Sequence, residues 1–230
     1  MGTATSREIP AGATVLVLPL GSFEQHGPHL PLDTDSVIAR AVVDDALSRG
    51  EVAASAFTVA PVLPVTASDE HAGFPGTLSM GTEATAAAIV AICRSATWAR
   101  GVCIVNGHGG NADALARVAS ALHHEGIAHV VWTLPHYAGG DMHAGRTETS
   151  LMLHLAPGSV RTSLVPTDPV PLPDDAMATM RTDGVAAVSR TGVLGDASTA
   201  TADHGRAVLE LYGASLARTL ARCLTDWSTP

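Results

Sequence analysis

Four short apolar runs, separated by stretches of helical character, constrain this chain more than any other feature. The runs are 13–20 (ATVLVLPL), 55–63 (SAFTVAPVL), 102–105 (VCIV) and 127–134 (IAHVVWTL). Each is short and nearly unbroken, the pattern of a strand buried on both faces. Between and after them the sequence predicts helices. Asp33 or Thr34 opens one that runs to about 49, and Gly50 closes it. An Ala-rich helix follows over about 82–100, another over 112–125 before Gly126, a fourth over 147–155 before Pro157, and a long one over 201–225. The Pro-rich stretch 160–175 lacks periodicity, and an extended edge segment is expected over 165–172. Two Gly-bounded apolar turns are expected over 184–201. Strand–helix alternation of this kind predicts an α/β fold, a mainly parallel sheet with helices on both faces.

Ligands of such sheets bind beyond the carboxyl ends of the strands. The four chemically dense segments all follow predicted strands: 22–35, 69–79, 106–111 and 136–148. They are therefore expected to converge on one rim, although they lie far apart in sequence.

Composition narrows the chemistry. At 230 residues, 46% hydrophobic, the length fits one domain over 1–230 with a sizeable core. All 13 basic residues are Arg. Without Lys there is no Schiff-base chemistry on a side chain and no Walker A phosphate loop. A net charge of −9 argues against nucleic acid and against an anionic membrane surface. No apolar run reaches a bilayer-spanning length, and the first twelve residues lack an apolar signal core, so the expectation is a cytoplasmic protein. Cys93, Cys103 and Cys223 are widely spaced and show no CxxC pattern, which suits buried thiols.

The 11 His residues stand out. Six of them, His26, His29, His71, His108, His136 and His143, sit near Gly-rich turns after apolar runs. Glu24 and His26 lie two apart in GSFEQHGPHLPLDTD, with Asp33 and Asp35 following at the mouth of a helix. Nitrogen and oxygen donors without thiolate suit Zn(II), Mn(II) or Fe(II); a solvated loop ending in a helix cap is the competing reading. His108 sits in NGHGGN, whose glycines let a ligand approach the backbone. That turn also has the look of an esterase oxyanion loop, but the chain holds no G-x-S-x-G elbow. Asp141, His143 and Glu148 could combine proton transfer with ligation, or Glu148 could simply suit the first turn of a helix. Glu70, His71 and the GFPGT turn after them could form a loop that covers the rim, but ordinary turn chemistry is the better expectation for most of the segment.

Taken together, 21–35, 73–79, 106–111, 143–153 and GVLGD at 192–196 are similar to the creatininase family of metal-dependent amidohydrolases, in order and spacing over most of the chain. The resemblance implies a three-layer α/β/α sandwich, two divalent metal ions and a homo-oligomer, often a hexamer. It also implies the site residues. Glu24, His26, Asp35, His108 and Glu148 match family metal ligands, with Asp35 rather than Asp33 as the bridging carboxylate. His143 matches the His given a proton-transfer role. Creatininase itself carries a carboxylate where this chain has Gly110, which argues against creatinine as substrate. The tail GVAAVSRTGVLGDASTATADHGR resembles a peptidase branch of the family. That branch implies hydrolysis of a peptide bond near the C-terminus of a modified ribosomal precursor peptide, before its modified Val-Tyr unit. Gly109 and Gly110 are expected to leave room for that peptide. The alternative within the family is a small-molecule amidohydrolase acting on a cyclic amide or formamide.

Overall fold

The computed structural model describes residues 4–167, 172–173 and 175–227. Four strands, β1 (Val15–Leu20), β2 (Phe57–Val59), β3 (Val102–Asn106) and β4 (His129–Thr133), form a wholly parallel sheet in the order β2-β1-β3-β4. The central pair β1 and β3 is in register from Leu16 opposite Val102 to Leu20 opposite Asn106, and every residue of both strands is buried.

The described residues form six α-helices, α1 (Thr34–Ser48), α2 (Gly81–Ser95), α3 (Ala112–His124), α4 (Arg146–Leu155), α5 (Ala176–Asp183) and α6 (Ala202–Asp226), and all but α5 pack in the layers beside the sheet. Alternate side chains along a strand point to opposite faces, and this divides the core in two. Val15, Val17, Cys103 and Val105 pack with Ile38, Leu151 and Leu216 from α1, α4 and α6. Leu16, Leu18, Val102 and Ile104 pack with Ile89 and Val118 from α2 and α3 on the other side. This is the expected α/β/α sandwich. The core is aliphatic, and fully burying one such side chain contributes roughly 1.5–3 kcal/mol.

Several expectations need correction, and α5 lies where no helix is expected from the sequence. The helix expected over about 82–100 ends at Ser95. The strand expected over 55–63 narrows to Phe57–Val59, because the chain turns away after Ala60, although Leu63 still bridges Leu20. Asp33 stands at the N-cap of α1, but its side chain makes no capping bond. The helix α5 follows the Pro-rich stretch without a strong periodic signal. It is held by tertiary packing against the turns Asp69–His71 and Val185–Ala187, with Met180, Val185 and Leu194 forming a small cluster. The edge segment expected over 165–172 lies partly outside the described residues, and its described part adds no strand. The Gly-bounded turns of 184–201 form two short 3-10 turns, Val185–Ala187 and Ala197–Thr199.

Candidate metal centre

All four dense segments meet at the carboxyl end of the sheet. Gly21 ends β1 so close to the start of α1 that a Cβ there would lie 2.2 Å from Ser36 Oγ and 2.7 Å from its backbone nitrogen. This contact brings the first turn of α1, and with it Asp35, up against the loop that carries Glu24 and His26.

Asp35 is the centre of the arrangement. It is 1% exposed, and its two oxygens face opposite ways. Oδ1 lies 3.1 Å from His26 Nε2, which is itself 3.8 Å from Glu148 Oε2. Oδ2 lies 3.1 Å from His108 Nδ1, which is 3.2 Å from Glu24 Oε1. Ser22 Oγ donates to the same Oδ2 at 2.6 Å. Asp33, two residues earlier, is exposed and outside the cluster.

The rings are oriented by bonds on their outer edges. His26 Nδ1 donates to the Glu24 carbonyl at 3.1 Å, and His108 Nε2 donates to the Ala67 carbonyl at 2.8 Å. The other nitrogen of each ring is thereby turned toward the carboxylates. Orientation of this kind is what metal-ligating imidazoles ordinarily have. His143 Nε2 donates to the Gln25 carbonyl at 2.9 Å, so its Nδ1 points inward and lies 3.7 Å from Glu24 Oε1.

The electrostatics follow from this crowding. Burial would lower His26, but Asp35, Glu148 and Glu24 carry it up to about 10. His108 is likewise raised well above its ordinary value against its burial, by Glu24 and Asp35. Burial raises Asp35, and the charges of His26 and His108 reverse this and hold it well below the carboxylate range. Burial lifts Glu148 to about 7. Burial, followed by the His26 charge, keeps His143 well below the ordinary histidine range. A proton thus sits on the inward nitrogens of His26 and His108 where a cation would otherwise separate nitrogen from oxygen, and metal binding at such a site releases protons.

The donors fit divalent ions. Glu24 is fully buried, and neither of its carboxylate oxygens has a hydrogen-bond partner. A buried carboxylate left in that state is costly. Four groupings of His and carboxylate donors, each with ligand atoms within 4.8 Å of one another, can be drawn here among the described residues. They are Glu24–His26–Asp35, His26–His143–Glu148, Glu24–His71–His143 and Glu24–Glu70–His108.

Two of these groupings contain residues that sequence reasoning assigned to a plain turn. His71 is 3% exposed, with Nε2 3.4 Å from Glu24 Oε1 and Nδ1 accepting from Gln25 Nε2 at 2.8 Å. Glu70 Oε1 lies 3.6 Å from His108 Nε2. Their only sequence signal was a carboxylate–His pair in an otherwise small-residue loop. Conversely, Asp141 stands apart from the chemistry: its carboxylate accepts the backbone N–H groups of Arg146 and Thr147 and so anchors the start of α4. Gly110 is also not open space, because a Cβ there would lie 1.9 Å from Glu70 Oε1. At Gly109 a Cβ would meet nothing within 4 Å.

Other parts of the chain hold these groups in place. Ala144, in the left-handed region at φ 51°, lies between His143 and α4, and its N–H donates to Glu148 Oε2. The GVLGD segment pairs with the backbone at His143, Leu194 N–H donating to the His143 carbonyl at 2.8 Å. The Gly192 carbonyl of that segment accepts from Gln25 Nε2. His29 is buried and bonds Thr149 Oγ1 through Nε2 at 2.8 Å. His136 is exposed and lines a cleft of about 320 Å³ that also reaches His108, Gly109, Tyr137, Met142 and Glu148.

Fold and donor set define a hydrolase of amide bonds with a site suited to divalent metal. The chain belongs to the creatininase family, whose description, creatinine amidohydrolase, matches residues 2–220. Among curated proteins it is 46% identical over 229 residues to the mycofactocin precursor peptide peptidase of Mycobacterium tuberculosis (strain CDC 1551 / Oshkosh), covering 96% of this chain and 90% of that protein. It is 46% identical over 211 residues to the protein of the same name from Mycolicibacterium smegmatis, covering 90% and 85%. Among solved structures, a manganese form of creatininase superposes with a TM-score of 0.79 at 25% identity, covering 100% of this chain and 98% of that one. A Zn-Zn form of a mutant creatininase superposes at 0.77 and 26% identity, with the same coverage. Among the described residues no helix is long and apolar enough to cross a membrane.

Proposed function

We propose that this chain is a metal-dependent peptidase that cuts the mycofactocin precursor peptide just before its modified C-terminal Val-Tyr unit, a step toward that redox cofactor. The placement of Asp35, one oxygen toward each of two His–carboxylate sets, carries the hydrolytic part of this reading. The names and coverage of the mycobacterial relatives support the choice of substrate.

Two ions, Zn(II), Fe(II) or Mn(II), would be held by Glu24 and His108 on one side and by His26 and Glu148 on the other, with Asp35 between. Bound there, the ions would supply Lewis acidity and a bound water of lowered pKa. The remaining work falls to the chain. With Nε2–H fixed on the Gln25 carbonyl, Nδ1 of His143 is the atom that moves a proton. From there it would take a proton from the attacking water and pass it to the leaving amine. Amides of the turn around Gly109 would hold the oxyanion. The cleft lined by Tyr137, His136 and Met142 would take the modified unit, with the peptide passing over Gly109. In this reading the active protein is a homo-oligomer, as in the family at large, and light scattering on the purified protein tests that part.

The substrate is tested by incubating metal-loaded protein with modified and unmodified precursor peptide and with creatinine, followed by mass spectrometry. The expected result is one new fragment, from the modified peptide, with negligible creatinine turnover. Intact modified peptide beside rapid hydrolysis of creatinine or a simple formamide would overturn the peptidase reading.

A further inference from the structure

We propose that Glu70 is a further carboxylate ligand, entering on the Glu24–His108 side of the site through the space that Gly110 leaves open. This rests on the two-ion reading above and adds to it.

Three observations carry the assignment. First, Glu70 comes from the turn Asp69–His71 after β2, and its carboxylate, with Glu24 and His108, forms a set of donor atoms all within 4.8 Å; its Oε1 rests 3.6 Å from the Nε2 edge of the His108 ring, so ligation takes a turn of this side chain toward the Nδ1 edge. Second, a side chain at 110 and Glu70 exclude one another sterically. A Cβ at Gly110 would lie 1.9 Å from Glu70 Oε1, 2.8 Å from Glu70 Cδ and 2.4 Å from His108 Nε2. Any such side chain would displace this carboxylate, so the glycine and the acid form a matched pair from two separate loops. Third, Glu24 is fully buried without a hydrogen bond to either oxygen, and its Oε1 is faced by three imidazole nitrogens, His108 Nδ1 at 3.2 Å, His71 Nε2 at 3.4 Å and His143 Nδ1 at 3.7 Å, a donor set suited to a cation beside which Glu70 stands.

Charge gives the same answer. When all are ionised, Glu24, Asp35, Glu148 and Glu70 carry four negative charges, which two divalent cations would balance. Among the described residues, none of the salt bridges to these four carboxylates comes from Arg; every one is made by a His. The turn that presents Glu70 is itself secured, since Ser79 Oγ donates to Asp69 Oδ1 at 2.6 Å and accepts the Ser68 N–H at 2.9 Å. His71, next in the chain, is locked by Gln25.

The test is Mn(II) titration of metal-stripped protein, with stoichiometry from elemental analysis and affinity from the free-ion signal. Wild type should bind two ions. Glu70→Gln should keep one at wild-type affinity and bind the other more than about 100-fold more weakly, beyond the roughly 10- to 100-fold that an outer-shell change costs. Gly110→Ala should weaken the same ion, because its Cβ meets both Glu70 Oε1 and His108 Nε2. Glu70→Gln keeps the shape of the side chain beside His108, so a role in merely supporting that ring would leave the loss within the outer-shell range. A loss within that range, or two ions at unchanged affinity in Glu70→Gln, would overturn the assignment of Glu70 alone. Fewer than two ions in wild type would overturn the two-ion reading and this assignment with it.

Discussion

The two sides of Asp35 are built on different supports. Toward Oδ1 stand His26 and Glu148. Glu148 lies on the first turn of α4, its carboxylate tied to the Ala144 N–H, with the α1–α4–α6 core directly behind. Toward Oδ2 stand His108 and Glu24, with Glu70 and His71 beside them, and all four come from loops or short turns after β1, β2 and β3. The bare Glu24 carboxylate is on this second side. One side thus takes one of its two groups, Glu148, from a helix backed by the core, with His26 coming from the β1 loop, while the other draws only on loops and turns and holds a carboxylate that no hydrogen bond meets. Asp35 joins them because the first turn of α1 projects into the gap, where Ser22 steadies it.

The comparison is broken most severely at the joint. Asp35→Ala should lose ions from both sides and lower the rate about 1,000-fold or more, since metal electrostatics contribute several kcal/mol to such transition states. Asp33→Ala, at the surface, should change neither metal content nor rate by much. If elemental analysis found the reverse, the joint would be misassigned.

His143 is shared differently, because its inward Nδ1 approaches Glu24 on one side while its ring lies tilted against His26 on the other, the ring centroids 4.3 Å apart. His143→Ala should retain both ions and lose about 10²- to 10⁴-fold in turnover, the range for a lost proton carrier. Loss of an ion in that variant would make His143 a ligand.

A smaller effect probes the core-backed side. Burial, followed by the charge of His26, lowers His29 from 6.5 to about 4. The unfolded chain takes up this proton below about pH 6.5, and the folded chain does not until about pH 4. His29 therefore adds to stability above 6.5, and that contribution is lost as the pH falls toward 4. Replacing it with Gln should flatten the acid limb of metal-free stability in that window by about 1.4 kcal/mol per pH unit. Equal slopes in denaturant melts of parent and variant would show that His29 is not buried neutral.

The same contrast explains what could be read from the sequence. β1 and β3 are buried along their whole length, so their apolar runs were plain, and each led to a segment that does enter the site. The positions of Glu24, His26, His108 and Glu148 just after strands or in the first turn of a helix follow from that topology. Asp35 and Asp33 are alike as a pattern; helix phase buries one and exposes the other. Asp141 resembles a catalytic acid in sequence, yet its carboxylate closes the start of α4. Glu70 and His71 are marked only as a carboxylate–His pair in a dense segment, which does not tell a ligand from a turn residue. Their turn is placed by packing against α5 and the Val185–Ala187 turn, which the local sequence does not show. The match of Gly110 to Glu70 joins two loops 40 residues apart in sequence, a relation that only the folded chain displays.

The central claim is that Asp35 sits between two ions. Anomalous diffraction from crystals of the Mn(II)-loaded protein tests it most directly. The account predicts two peaks, one between Asp35 Oδ1, His26 Nε2 and Glu148, the other between Asp35 Oδ2, His108 Nδ1 and Glu24. A single peak, or two peaks of which either lies outside reach of Asp35, would contradict it.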